Sequence, residues 1–85
     1  MNTEKANQAS QRVLSATKVL WDPFNRDIVW LIRNQHLDTL NLLTGTIEQR
    51  IASIDDFMFD GSRLITLTRG KDTTLVKTYT RDTLN

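Results

Sequence analysis

The chain has 85 residues, of which eleven are Lys or Arg and ten are Asp or Glu, giving a formal net charge of +1. A charge this small does not by itself indicate a nucleic-acid-binding protein, and the absence of cysteine excludes disulfide bonds and thiolate metal ligands as sources of stability. A chain this short buries only about 60% of the surface that it exposes when unfolded. We therefore expect it to gain stability by self-association.

The sequence contains no signal for a membrane or for secretion. No apolar run approaches the ~18 residues of a membrane span, and the polar residues 1–12 lack the hydrophobic segment of a secretory signal. A chain without cysteine is compatible with the reducing cytosol. We expect no membrane association and predict a cytoplasmic protein.

Residues 1–20 are predicted to form an N-terminal extension that is partly helical or mobile. Apolar residues at Val13, Ala16 and Leu20 follow the spacing of one helix face, which predicts a helix from Ala9 to Leu20. The stripe is short, so this helix is stable only if it docks. The alternative is a mobile tail that becomes ordered on a partner.

A second helix is predicted at about residues 22–34. Asp22 suits the N-cap, because its carboxylate can accept a backbone N–H that the first turn leaves unpaired. Pro23 suits the first helical position, where the missing N–H costs nothing. The apolar face of this helix would consist of Phe24, Ile28, Leu31 and Ile32.

From His36 onward the apolar pattern changes to the period of two that is typical of β-strands. Turn signals at Thr44-Gly45, Asp60-Gly61-Ser62 and Gly70-Lys71-Asp72 divide this part of the chain. The predicted strands cover about residues 37–43, 46–54, 57–69 (with the second turn inside it) and 73–81, with a short last strand at 83–85. We find no internal repeat.

The predicted fold class is mainly β with an N-terminal helix (α+β). One or two helices would precede a strongly bent five-stranded antiparallel sheet or partial barrel. Such a sheet has open edges that must be covered or paired with another chain. Sheet edges and chain length thus both predict self-association.

No residue pattern indicates catalysis. His36 is the only histidine, and the chain has no cysteine. The adjacent Asp55 and Asp56 do not form a natural pair, because neighbouring side chains of a strand point to opposite faces. We predict that the chain is not an enzyme and has no cofactor and no metal site.

Three segments, Leu20 to Phe24, Leu42 to Gly45 and Ser53 to Phe57, together resemble the Sm-like family, and within it the RNA chaperone Hfq. The segment from Arg26 to Gly45 is most similar to the divergent cyanobacterial branch of Hfq. Leu20 to Phe24 is similar to the opening of the family's N-terminal helix, and Leu42 to Gly45 is similar to its first hairpin. Ser53 to Phe57 is similar to the loop of the first Sm motif. The resemblance covers about residues 22–84, so that residues 21–85 are expected to form an Sm-like domain.

The resemblance implies an oligomeric ring, with a homohexamer favoured, whose subunits join through their edge strands. Such a ring binds single-stranded small RNA or mRNA and acts in post-transcriptional regulation. Phe57 would stack on an unpaired base, since every base has a π-face. The implied RNA-binding residues are Trp21, Asp55, Asp56, Phe57, Lys77 and Tyr79.

The chain departs from the family at several points, among them an apparent insertion from Met58 to Arg63, a last strand that is cut short at Asn85 and an added N-terminal helix. Thr78 and Tyr79 stand where the family has a Lys-His pair, and Gln49 stands where a glycine bends the second strand. The missing Lys-His pair, the small net charge and the added N-terminal helix, which could be a docking element, fit a second hypothesis from another class. In that hypothesis the chain is a non-enzymatic protein-interaction module, Sm-like or another small β-barrel scaffold, that binds a protein partner and binds RNA weakly or not at all.

Overall fold

The computed structural model describes residues 14–80, which form seven β-strands and no helix. The strands build two antiparallel meanders. Sheet A has the order β1-β2-β3-β4, and sheet B has the order β5-β6-β7. The strands are β1 (Lys18–Trp21), β2 (Ile28–Arg33), β3 (His36–Asn41), β4 (Ile47–Ile51), β5 (Asp56–Asp60), β6 (Arg63–Arg69) and β7 (Thr74–Thr80).

The predicted α+β fold is wrong, because the segment expected as a helix at about residues 22–34 is a loop followed by strand β2. Ile28, Val29 and Ile32 are β-branched and Trp30 is aromatic, and such residues favour extended backbone. Strand β2 pairs with β1 on one side and with β3 on the other. The single five-stranded bent sheet is likewise wrong, since the strands are divided between two sheets.

The helix predicted from Ala9 to Leu20 is not found where the structure describes this segment. Residues 14–17 are outside any helix or strand, and residues 18–20 belong to β1. The rest of that predicted helix and the short strand predicted at 83–85 lie outside the described residues.

The predictions from residue 36 onward agree more closely with the structure. Strands β3, β4 and β7 lie at the positions expected for strands 37–43, 46–54 and 73–81, and the segment 57–69 holds β5 and β6. Gly45 and Gly61 have positive φ angles of 77° and 61°. Glycine adopts this conformation without a steric cost, and for this reason the two turn predictions located the strand ends.

The two sheets pack face to face, and the side chains between them form the core. Trp30 of sheet A meets Phe59 of sheet B edge to face, with 5.6 Å between the ring centroids. The inner face of sheet A contributes Leu20, Ile28, Trp30, Ile32, Leu37 and Ile51, and the inner face of sheet B contributes Phe57, Phe59, Leu64 and Tyr79. Ile54, in the connection between the sheets, completes the core.

Sheet B repeats the first three strands of sheet A. The backbone N–H of Asp22 bonds to the C=O of Ile28 where the first connection of sheet A begins and ends, and Asp60 pairs with Arg63 at the same point of sheet B. When residues are counted from these pairs along the registers, β5, β6 and β7 correspond to β1, β2 and β3. Equivalent residues include Lys18 and Asp56, Val19 and Phe57, Leu20 and Met58, Trp21 and Phe59, Val29 and Leu64, Trp30 and Ile65, and Leu37 and Val76.

Candidate interaction surfaces

Asp22 fixes the corner between β1 and β2. Its Oδ1 accepts hydrogen bonds from the backbone N–H groups of Phe24 at 2.8 Å and Asn25 at 2.9 Å. Its Oδ2 accepts a hydrogen bond from Trp30 Nε1 at 2.9 Å, in a buried position. Asp22 thus does what the sequence predicted of an N-cap, but the turn that it caps leads into a strand. The corner sets the orientation of Trp30 on the inner face of sheet A.

Phe57, the residue predicted to stack on RNA bases, is part of the core. It is 2% exposed, and its ring meets Phe59 edge to face with 5.9 Å between centroids. The Lys18 ammonium lies 5.3 Å from the centroid of the Phe57 ring, a distance typical of a cation–π contact. A base would have to displace these neighbours before it reached the ring.

Asp55 and Asp56 bind different partners. Asp56 Oδ1 accepts hydrogen bonds from Lys18 Nζ at 2.6 Å and from the backbone N–H of Phe57 at 2.8 Å. The Lys18 ammonium, followed by the Phe57 N–H, holds the pKa of the Asp56 carboxyl below its ordinary value. Asp55 Oδ2 instead accepts the backbone N–H of Arg69 at 2.6 Å. The carboxylate of Asp56 joins the two sheets, and that of Asp55 holds the last residue of β6.

The other three predicted site residues, Lys77, Tyr79 and Trp21, do not join Asp55, Asp56 and Phe57 in one site. Lys77 is exposed on β7, whereas Tyr79 on the same strand is half-buried and packs against the core. Trp21 is 63% exposed at the end of β1. Its side chain lies on the outer face of sheet A, because its strand neighbour Leu20 is on the inner face. The six residues therefore do not form one surface.

Each sheet keeps exposed apolar side chains on its outer face. On sheet A these are Val19, 56% exposed, and Trp21, both on β1. On sheet B, Met58 is 52% exposed and Val76 is 58% exposed. A shallow depression of about 140 Å³ lies beside the latter pair, and it is lined by Lys18, Asp56, Phe57, Met58, Ile65, Leu67 and Val76.

A polar cluster lies farther along the outer face of sheet A. Asp38 is 2% exposed and binds His36 Nδ1 through its Oδ1 at 2.7 Å. Its other oxygen lies 3.8 Å from Nε of Arg33. Leu31, which pairs with Asp38 across the strands, is 1% exposed. The open apolar part of this face is therefore the part along β1.

Sequence patterns alone did not identify the outer-face residues of sheet B. Strand β6 has apolar residues at both parities, Leu64 on one face and Ile65 and Leu67 on the other. Such a pattern is typical of a strand that is covered on both sides. The apolar residues at both parities of β6 thus indicate that the outer face of sheet B is also suited to be covered.

Residues 14–80 contain no group of three or more His, Asp or Glu side chains arranged to hold a metal ion. Over the same residues no helix of the length and hydropathy required to cross a membrane is present.

Comparison with known proteins found no match to a family model, to a curated protein or to a solved structure. The resemblance to the Sm-like family therefore stays an interpretation of the sequence.

Proposed function

We propose that this chain is a non-enzymatic, cytoplasmic protein-interaction module whose sheets pack against further sheets. One observation carries the proposal. After the inner faces have covered each other, apolar side chains remain exposed on the outer faces of both sheets, with Trp21 and Val19 on one side and Met58 and Val76 on the other. An antiparallel sheet that faces water is normally polar on that side, and exposed apolar patches mark protein contacts.

The construction of the two sheets supports this function. Antiparallel meanders that recur along the chain and pack face to face are the units of radially repeated proteins such as β-propellers. In repeat architectures each unit contacts its neighbours on both sides, so that a unit at the end of an array is left with an uncovered face. The described residues contain one complete four-stranded meander and three strands of the next.

The proposal is tested by comparing two variants of the purified chain. Trp21→Glu places a charge on the outer face of sheet A, whereas Leu43→Glu places one on another exposed apolar residue, 77% exposed, between β3 and β4. After nuclease treatment, mass measurements on the wild type should show a protein–protein complex, either with itself or with an added protein. Trp21→Glu should abolish that complex and Leu43→Glu should preserve it. Equal behaviour of the two variants would contradict the proposal.

Binding of single-stranded RNA is the second candidate, and basic residues on sheet B favour it. Arg69, Lys71 and Lys77 are all exposed on or beside the β6–β7 hairpin. Backbone phosphates bind to such groups without any aromatic platform. RNA contact would then use this hairpin, since the Phe57 ring is enclosed.

Fluorescence anisotropy with an unstructured RNA separates the two candidates. Three phosphate contacts to a single strand would weaken binding by roughly 20-fold between 50 and 200 mM salt, following a slope of about −0.7 per contact. Lys77→Ala should weaken binding at low salt, and Trp21→Glu should leave it unchanged. An RNA affinity that is absent, or that is independent of salt and of Lys77, removes this second candidate.

A further inference from the structure

We propose that the outer face of sheet A of one chain packs against the outer face of sheet B of a second copy of the same chain, in a head-to-tail contact. The proposal names the partner of the interaction module proposed above and rests on that function. It follows from the equivalence of β1–β3 and β5–β7.

The packing of sheet A on sheet B supplies the template for this contact. Phe57 and Phe59, on the inner face of sheet B, are equivalent to Val19 and Trp21, on the outer face of sheet A. In the same way the residues of the inner face of sheet A have equivalents on the outer face of sheet B, with Leu20, Trp30 and Leu37 corresponding to Met58, Ile65 and Val76. The two outer faces are thus related to each other as the two inner faces are.

Side-chain sizes at the central position of the template are complementary. Within the chain, Phe59 meets Trp30 at 5.6 Å. The equivalent pair between copies is Trp21 of one copy and Ile65 of the next. In the contact between copies, the larger Trp21 replaces Phe59 as the inserted side chain. The smaller Ile65 replaces Trp30 as the side chain that it meets. Ile65 lines the depression of about 140 Å³ on the outer face of sheet B, which gives the indole a place to enter.

Charges at the edge of the template are complementary as well. Lys18 and Asp56 occupy equivalent positions in the two sheets and form an ion pair within the chain at 2.6 Å. In the contact between copies the same two positions meet with their roles exchanged, Asp56 of one copy beside Lys18 of the next. Opposite charges are retained, and both side chains remain accessible, with 34% and 47% of their surfaces exposed.

A contact between two different faces does not close in a dimer. Each added copy leaves one outer face of each kind open, so that the assembly grows until the rotation closes a ring or continues as an open stack. This predicts association beyond two copies. It also predicts that blocking either face stops growth, whereas two differently blocked chains still combine.

The experiment mixes two variants and measures mass by sedimentation equilibrium. Trp21→Glu blocks only the outer face of sheet A, and Val76→Glu blocks only the outer face of sheet B. Both side chains are more than half exposed, and circular dichroism of each variant should show that the fold is retained. Each variant alone should have the mass of one 9.8 kDa chain, with association weakened at least ~30-fold. An equimolar mixture should form a one-to-one dimer, and Leu43→Glu should assemble as the wild type does.

Four results would overturn the proposal. If Val76→Glu alone still assembles, like faces meet and the contact is not head-to-tail. If the equimolar mixture stays monomeric, the two faces do not bind each other. If the wild type is monomeric but Trp21→Glu still destroys a complex with another protein, the second copy is the wrong partner while the proposed function stands. A monomer without any complex sensitive to Trp21→Glu removes both.

Discussion

Strands β1 and β5 hold equivalent positions in the two sheets but bury opposite sets of side chains. In β5, Phe57 is in the core and its neighbour Met58 is exposed. In β1, the residue equivalent to Phe57 is Val19, which is exposed, and Leu20 packs against the core. The difference shows that the burial of a position depends on which face of its sheet packs against the other sheet. Both strands carry apolar side chains on both faces, which suits a sheet that is covered on both sides.

Strands β3 and β7 make a second equivalent pair with a different outcome. Strand β3 is covered by β4 on its far side, and three of its six residues are buried. Strand β7 is the edge of sheet B within the described residues, and six of its seven residues are exposed. An exposed edge strand is a site at which further pairing can occur. Among residues 14–80, sheet B therefore has two uncovered sides, its outer face and its β7 edge.

The largest predicted effect is the difference in stability loss between substitutions at equivalent positions of β5 and β1. Phe57→Ala should destabilise the chain by about 3–5 kcal/mol, because it leaves a cavity in the centre of the core. Val19→Ala, at the equivalent position, should cost less than about 1 kcal/mol in the monomeric chain, because Val19 is 56% exposed. Urea denaturation of both variants measures the difference. Similar losses from the two substitutions would contradict the assignment of the inner and outer faces.

The next effect concerns the corner that sheet A has and sheet B lacks. Asp22→Ala should cost about 1–3 kcal/mol, because the buried Trp30 Nε1 and two backbone N–H groups of the turn lose their acceptor. Trp30→Phe removes the indole donor and keeps most of the ring. A double-mutant cycle of these substitutions, followed by urea denaturation, should give a coupling energy clearly above zero. Strict additivity would show that the indole–carboxylate bond contributes nothing.

The smallest effect concerns the ion pair between the sheets. The folded-state pKa of Asp56 lies below its ordinary value. The ion pair therefore stabilises the fold fully at a pH above the ordinary pKa, and this contribution is lost as the pH falls through the folded-state pKa. Lys18→Met should therefore reduce stability at neutral pH by at most about 1 kcal/mol, since the pair is partly exposed. It should also flatten the loss of stability that the wild type shows as the pH falls below the ordinary pKa of an aspartate.

Lys71→Met, at the exposed turn between β6 and β7, is the matched control for this titration. It removes the same charge from the chain without touching Asp56. An unchanged acid dependence in Lys18→Met, or an equal change in Lys71→Met, would show that the Lys18–Asp56 pair does not couple the sheets.

The strands from β3 onward were predictable because their signals are local. Period-two apolar patterns and the turns at Gly45 and Gly61 depend only on neighbouring residues. The helix prediction failed because both of its signals are also compatible with a turn followed by a strand. A carboxylate followed by Pro23 suits a turn as well as an N-cap. Strand β2 is apolar on both faces, so that some of its apolar residues also have the spacing of a helix face. The two-residue turn after β2 also lacks glycine, although Asn34 and Gln35 have φ angles of 50° and 65°.

The repeat was hidden by its connections. Six residues separate β1 from β2 but two separate β5 from β6, and two separate β2 from β3 but four separate β6 from β7. Equivalent positions therefore have no constant spacing in the sequence. The role of Phe57 was missed for a different reason, since its burial depends on Phe59 beside it and on residues of sheet A that lie far away in the chain.

Sedimentation equilibrium of the wild-type chain over a wide range of concentrations tests the central claim most directly, because uncovered sheet faces must find a partner as the chain becomes concentrated. The predicted result is an average mass that rises with concentration from 9.8 kDa to several times that value. A single species of 9.8 kDa at every concentration would show that both outer faces are stable in water and would contradict the claim.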